Sequence, residues 1–264
     1  MSLGRRDAPT PPRPLAPLAP TFSGSLKALS AAQKSGRGAP AYSRFINRRL
    51  GRVLAAAAHV AGLSPNAVTV ISAIFTFTGI VVIALAPRSW LVAAAISLLL
   101  ITGYALDAAD GQLARLRGGG SVAGEWLDHM VDSVKITSLH VAVLIGVYRY
   151  DTIDEVWLLV PAGFAVIGAS SFFAQILNEQ LHLNRDAVRP TAGKVTSSSS
   201  WISSLLKIPT DYGLLCLVFL LLGSAELFMV AYGFLFLAST SYFALASVKW
   251  FRDMHALDAA RRGF

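Results

Sequence analysis

The sequence predicts an all-α protein that crosses a membrane several times. Of its 264 residues, 54% are hydrophobic and only 14% are charged, and the mean hydropathy is +0.56. This composition is typical of membrane proteins, and the apolar segments approach the roughly 20 residues that one transmembrane helix needs. We therefore expect a polytopic integral membrane protein with six transmembrane helices, preceded by an amphipathic helix in the membrane interface.

The first 40 residues are expected to form a disordered cytosolic tail. They are rich in Pro, Ala, Ser and Gly, and six of the 12 prolines lie between Pro9 and Pro20. A segment of this composition has too little apolar surface to stabilise a fold of its own. It also lacks the continuous apolar segment of a cleaved signal peptide.

Residues 41–63 are expected to form the interfacial helix. Apolar residues and arginines interleave there with helical spacing: Phe45, Ile46, Leu50, Val53 and Leu54 among Arg44, Arg48, Arg49 and Arg52. This pattern is typical of a helix that lies on a membrane surface, although a helix that binds a partner protein would share it. The Ser64-Pro65-Asn66 segment then predicts the start of the first span, which Asn66 and Thr69 would cap in the simplest interpretation.

Six uncharged stretches predict the transmembrane helices of a domain that covers residues 64–252. They are residues 66–86, 89–106, 136–148, 156–178, 212–225 and 227–248. The third and fifth are shorter than a span requires, so they are expected to begin near Val122 and near Pro209. Residues 253–264 are expected to form a short cytosolic tail.

The basic residues predict that both termini face the cytoplasm, since Lys and Arg are retained on that side. With the amino terminus inside, 20 of the 23 basic residues fall in internal segments. Arg88 and Arg149 fall outside, and Lys135 lies within a helix. We therefore expect a multi-pass protein of the inner (cell) membrane. The net charge of +8 fits anionic lipid headgroups better than nucleic acid, so no nucleic-acid partner is expected.

Four aspartates lie at the ends of two predicted helices, and their spacing predicts one cluster. At about 100° per residue, one helix face carries Asp107, Asp110, Gly111 and Ala114, with Arg115 at its margin. The next helix presents Gly124, Asp128 and Asp132 at steps of four. Three consecutive glycines at positions 118–120 allow the chain to reverse between the two helices. The carboxylates are therefore expected to converge at the cytoplasmic face.

Carboxylates beside hydrocarbon need a compensating cation, because an Asp at the centre of a membrane helix costs roughly 2.5 to 3.5 kcal/mol. Hard oxygen ligands suit Mg²⁺, Mn²⁺ or Ca²⁺ better than Zn²⁺. The small residues of the two faces leave room for a large group such as a diphosphate. A purely structural cluster, in which Asp128 and Asp132 pair with Lys135, is the alternative interpretation.

The segment LDAADGQLARLRGGGSVAGEWLDHMVDS, residues 106–133, resembles the signature of the CDP-alcohol phosphotransferase (CDP-alcohol phosphatidyltransferase) family. The pattern Asp-x-x-Asp-Gly-x-x-Ala-Arg, eight residues, then Gly-x-x-x-Asp-x-x-x-Asp is matched at every fixed position. The segment 63–69 is similar to the start of the family's first helix, and six spans agree with its usual architecture.

The resemblance implies that an acceptor hydroxyl attacks the β-phosphorus of a CDP-linked alcohol and that CMP leaves. It implies that two Mg²⁺ or Mn²⁺ ions are held by Asp107, Asp110, Asp128 and Asp132. Asp132 is also the candidate general base, since it lies one turn beyond Asp128. The residues expected to bind the CDP-substrate are Asn66, Thr69, Asp107, Gly111, Ala114, Arg115 and Gly124. The family also implies a homodimer within membrane lipids.

The substrates are left open by the sequence. CDP-diacylglycerol with a soluble acceptor is slightly favoured, and CDP-inositol or another CDP-polar alcohol is the alternative donor. Four cations between residues 178 and 209 are candidates to bind an anionic acceptor, or else serve as orientation signals and lipid contacts: Arg185, Arg189, Lys194 and Lys207.

Two other classes of protein also place acids in membrane helices. An intramembrane prenyltransferase holds a diphosphate in this way, but the Asp-Gly-x-x-Ala-Arg pairing and only six spans argue against it. A cation-coupled transporter needs a pathway across the membrane, whereas these acids lie near one face.

Overall fold

The computed structural model describes residues 21–31, 40–188 and 210–262, and the regular elements in those residues are all helical. The helices are α1 (Phe22–Ala31), α2 (Arg48–Val60), α3 (Pro65–Leu85), α4 (Trp90–Leu116), α5 (Val122–Tyr150), α6 (Leu159–Val188), α7 (Tyr212–Val218) and α8 (Ala225–Arg262). A π-helical turn, Ser43–Asn47, precedes α2, and 3₁₀ turns at Glu155–Leu158 and Phe219–Gly223 precede α6 and follow α7. The prediction of an all-α protein is confirmed.

Three of the long helices begin at a serine whose hydroxyl caps them. Ser64 accepts a hydrogen bond from the backbone N–H of Ala67 at 3.1 Å, and Ser89 and Ser121 make the equivalent bond at the starts of α4 and α5. An N-cap of this kind satisfies an N–H that the helix itself cannot pair. The first span therefore begins where the sequence predicts, with Ser64 rather than Asn66 or Thr69 as the cap.

Five helical segments of the described chain are long and apolar enough to cross a membrane: Pro65–Leu85, Trp90–Leu116, Val122–Tyr150, Glu155–Leu183 and Ala225–Ala256. Many large apolar side chains on these helices face outward, as expected for contact with lipid; Leu91, for example, is 81% exposed. The predicted fifth span is represented by a shorter apolar helix, Tyr212–Gly223. The polytopic membrane architecture is confirmed, while the count of six spans stays a prediction.

The helices enclose two clusters of buried apolar side chains. The larger cluster joins α3, α4, α5 and α6 to α7 and α8, and its most buried large residues include Ile83, Leu100, Phe219, Phe228 and Tyr232. The smaller cluster joins α1 and α2 to the beginning of α3 and the end of α4. The first half of α4 therefore packs in the larger cluster and its last turns pack in the smaller one.

The predicted interfacial helix packs directly on α4. Gly51 of α2 lies so close to Ala108 that a Cβ on Gly51 would be 2.9 Å from the Cβ of Ala108. The side-chain amide nitrogen of Asn47 donates a hydrogen bond to the backbone carbonyl of Tyr104 at 3.0 Å. These contacts fix one face of the segment against the transmembrane helices.

Asp211 ties the same segment to the start of α7. Its carboxylate accepts hydrogen bonds from the backbone N–H groups of Tyr42 at 2.8 Å, Ser43 at 3.2 Å and Gly213 at 3.1 Å. Residues far apart in the sequence are thereby fixed beside the end of α4.

Two terminal segments are more helical than the sequence predicts. Within the predicted disordered tail, α1 packs on α2: Leu29 is buried, and the hydroxyl of Ser25 hydrogen bonds to the ring Nδ1 of His59 at 3.0 Å. At the other end, α8 continues to Arg262, through most of the predicted tail at 253–264. Tertiary contacts stabilise α1, and the average composition of 40 residues does not reveal them.

Gly146→Ala is predicted to destabilise the packing of α5 on α3. A methyl group at this position would overlap the backbone carbonyl of Ile83 and would lie 2.8 Å from Nη2 of Arg88. A backbone atom cannot rotate away, so we expect a net loss of about 1–3 kcal/mol, even though Ala favours a helix by about 0.5–1 kcal/mol.

The measurement is the midpoint of thermal unfolding in detergent. Gly120→Ala is the control, because Gly120 has open space around it and its substitution should change stability by no more than about 0.5 kcal/mol. Equal midpoints for the two variants would contradict the close approach of α3 and α5.

Candidate functional site

Three of the predicted carboxylates meet where α4 ends and α5 begins. Asp107, Asp110 and Asp128 each offer one oxygen, and these three oxygens lie within 4.8 Å of one another. The chain reverses between the helices at Gly118 and Gly119, whose φ angles of 95° and 133° are strained for residues with a side chain. The predicted convergence of the two helix faces is confirmed for these three aspartates, which we call the Asp triad.

The buried member of the Asp triad is held from α3. Asp110 is 6% exposed, and its Oδ2 accepts a hydrogen bond of 2.6 Å from the hydroxyl of Thr69. The hydroxyl of Thr69 also lies 3.2 Å from the carbonyl of Pro65. Because a buried carboxylate without partners is costly, Thr69 fixes the orientation of Asp110 as well as stabilising it.

Asn66, at the start of α3, lies against Gly124, at the start of α5. A Cβ at Gly124 would be 2.8 Å from Oδ1 of Asn66. The requirement for a small residue at position 124 therefore comes from a protein side chain.

Asp132 lies outside the Asp triad and pairs with a lysine. Its Oδ1 contacts Nζ of Lys135, one turn further along α5, and the same Nζ lies 3.5 Å from Oδ1 of Asp107. Lys135 is only 5% exposed, and its ammonium lies 5.4 Å from the centre of the Tyr212 ring. The alternative interpretation pairs Lys135 with Asp128 and Asp132. The structure shows the pair with Asp132, and its second partner is Asp107 rather than Asp128.

A cavity of about 280 Å³ opens beside the Asp triad. Its lining includes all three aspartates, Gly111 and Arg115, together with Ser43, Asn47, Arg48, Tyr104, Ala108 and Gln112. A Cβ at Gly111 would meet only the Nη1 of Arg115, at 3.4 Å, so its backbone is accessible from the cavity. Three carboxylates and two guanidinium groups thus line one space, which suits a ligand that carries both phosphate and metal.

The sequence does not predict that residues of the interfacial segment line the cavity. Ser43, Asn47 and Arg48 reach the cavity because α2 packs on α4, a contact between segments about 60 residues apart. The pattern of arginines in this segment predicts lipid contacts, and the structure places Arg48 at the cavity as well. Only the high density of arginines near the first span hinted at an anionic ligand.

A second cavity, of about 360 Å³, lies between α5, α6, α7 and α8. His140, Phe164, Gln175, Tyr212 and Tyr242 are among its lining residues. It includes none of the predicted site residues, and the edge-to-face pair of Tyr104 and Tyr212, with ring centres 5.0 Å apart, separates it from the first cavity.

The remaining predicted site residues are placed as follows. Ala114 is half-buried on α4 and does not line the first cavity. Arg185 belongs to α6, but its side chain lies outside the described part of the chain. The other candidate acceptor residues, Arg189, Lys194 and Lys207, lie outside the described residues altogether.

The fold and the site together define a polytopic helical membrane protein with a carboxylate cluster at one end of its helices. A sequence model of the CDP-alcohol phosphatidyltransferase family matches residues 62–246, which include the Asp triad, the first four long spans and most of the fifth. The chain belongs to this family, whose members are divalent-metal-dependent transferases. A search of curated proteins found no match.

Thr69→Val is predicted to weaken metal binding about 10- to 100-fold, since valine keeps the shape of threonine but cannot donate to Asp110. Affinity is measured by calorimetric titration of the purified protein with Mn²⁺. Thr137→Val is the matched control, because the hydroxyl of Thr137 bonds only the carbonyl of Ser133 at an exposed position of α5. Equal affinities for the two variants would show that Thr69 does not support the site.

Proposed function

We propose that this protein transfers a substituted phosphate group from CDP-diacylglycerol to a soluble hydroxyl acceptor, with release of CMP. The observation that carries the proposal is the Asp triad, which lines the same cavity as Arg48 and Arg115 in a member of this family. Carboxylates bind the metal ion, and guanidinium groups bind phosphate through their planar fork. This donor–acceptor pair would place the protein in phospholipid biosynthesis.

The ion proposed for the Asp triad is Mg²⁺ or Mn²⁺. The three oxygens converge within 4.8 Å, no Cys or His belongs to the set, and hard carboxylate oxygens favour these ions. When bound, the ion neutralises charge on the diphosphate and on the leaving phosphate. The protein's own part is to hold the three carboxylates in place, which Thr69 does for Asp110.

The proposed reaction is an in-line displacement at phosphorus. The oxygen of the acceptor hydroxyl forms a bond to the β-phosphorus while the bond from that phosphorus to the bridging oxygen breaks, and CMP leaves with that oxygen. The hydroxyl proton passes to Asp132, the proposed general base. Lys135 contacts Oδ1 of Asp132, so Oδ2 is the atom proposed to take the proton.

Other cavity residues are proposed to position the CDP-substrate. Arg48 and Arg115 would bind its phosphates, and Gly111, which has no side chain, would let the diphosphate approach the backbone of α4. Asn66, Ala114 and Gly124, which do not line the cavity, are proposed to act with them. The cations Arg185, Arg189, Lys194 and Lys207 are proposed to bind an anionic acceptor.

Topology and assembly complete the proposal. The distribution of basic residues supports an inner-membrane protein with both termini and the active site on the cytoplasmic side, where CDP-substrates and soluble acceptors are available. A homodimer is proposed on family resemblance.

The test is an assay of the purified protein with a panel of CDP-donors and hydroxyl acceptors. CMP release and product mass are both measured. We expect CMP and a phosphodiester from CDP-diacylglycerol with glycerol phosphate or an inositol phosphate, in the presence of Mg²⁺ or Mn²⁺. Turnover with CDP-inositol alone would move the proposal to a CDP-polar alcohol donor, and pyrophosphate release from a prenyl diphosphate without CMP production would overturn it.

Asp132→Asn is predicted to lower kcat by at least about 100-fold, which is the lower end of the range that a general base contributes. Most of the binding of Mn²⁺ and of the CDP-donor should be retained. Asn is nearly isosteric and keeps an oxygen for Lys135, but it cannot accept the proton. Asp110→Asn is the contrasting variant, and it should lose Mn²⁺ binding. Near-normal turnover of Asp132→Asn would contradict its assignment as the base.

A further inference from the structure

Lys135 is a buried cation that the reaction proposed above does not use. It lies on the same face of α5 as Asp132, three residues away, and its ammonium contacts one oxygen of Asp132 and lies 3.5 Å from Oδ1 of Asp107. It is 5% exposed. A buried ammonium is stable only when it is paired, so Lys135 is committed to these two carboxylates.

The position of this ammonium divides the four aspartates into two groups that share Asp107. One group is the Asp triad, whose oxygens lie within 4.8 Å. The other group is Asp107 and Asp132, joined by Nζ of Lys135. If the triad holds one divalent ion, each group has a cation of its own. The cation of the triad is the metal ion, and the cation of the second group is the ammonium of Lys135.

We propose that the ammonium of Lys135 takes the place of a second divalent ion between Asp107 and Asp132. The protein alone would then bind one Mg²⁺ or Mn²⁺, at the Asp triad, instead of the two that the sequence predicts. This inference rests on the proposed function, since it assumes that the triad holds the ion. It makes Lys135 a positioning residue, which orients the carboxylate of Asp132 without touching substrate.

Two features support this assignment. A dication between Asp107 and Asp132 would lie beside the ammonium of Lys135, and like charges repel strongly where water is excluded. The ammonium is also held in this position by its surroundings. Lys135 is 5% exposed, and the centre of the Tyr212 ring lies 5.4 Å from the ammonium, a distance at which a cation and an aromatic ring attract each other.

The test counts bound ions by the electron paramagnetic resonance signal of free Mn²⁺ during a titration of the purified protein in a neutral detergent. We expect one tightly bound ion per chain in the natural protein. Lys135→Met keeps the length of the side chain and removes the charge, and it should bind two ions. Combining it with Asp132→Asn should return the count to one.

Two controls separate charge from disturbance of the fold. Lys135→Arg keeps the cation and should bind one ion. Lys249→Met makes the same chemical change at an exposed position of α8 and should also bind one.

The outcomes distinguish this inference from the proposed function. Two ions bound by the natural protein, or one bound by a folded Lys135→Met variant, would overturn the role of Lys135 and leave the metal-dependent transferase intact. No ion bound by the natural protein would overturn both. The count for the natural protein requires no substitution, so the inference stays testable if Lys135→Met does not fold.

Discussion

The repulsion among three carboxylates whose oxygens lie within 4.8 Å is the constraint on which the rest of the site depends. Two unit charges 4 Å apart repel by about 4 kcal/mol at an effective dielectric constant of 20, and one of these groups, Asp110, is almost fully buried. Such an arrangement persists when cations and donors surround it. Thr69, Lys135 and the arginines of the cavity are the groups that the fold supplies.

The architecture explains how these groups reach the Asp triad. The helices α4 and α5 present the aspartates, α3 contributes Thr69 and Asn66, and the interfacial segment covers the cavity with Ser43, Asn47 and Arg48. Asp211 fastens that segment to the start of α7. The segment that precedes α3 thus lines the same cavity as the aspartate motif.

Much of the site could be predicted from the sequence because its aspartates follow local helical periodicity. Steps of three and four residues place Asp107 with Asp110 and Asp128 with Asp132, and glycines mark the reversal between them. Periodicity cannot show contacts between distant segments, so Arg48 and the link from Lys135 to Asp107 were missed. The helix Phe22–Ala31 was missed for the same reason, because burial of Leu29 against α2 stabilises it. The segment Tyr212–Gly223 shows that an apolar stretch need not form one long helix.

A crystal structure of the protein soaked in Mn²⁺ would show whether the Asp triad binds a divalent cation. Anomalous scattering at the manganese absorption edge locates the ion without reference to the protein's fold. We expect an anomalous peak within coordination distance of Asp107, Asp110 and Asp128. At saturating Mn²⁺, the absence of a peak among these three carboxylates would show that the Asp triad is not the metal site. A strongest peak elsewhere on the chain would show the same.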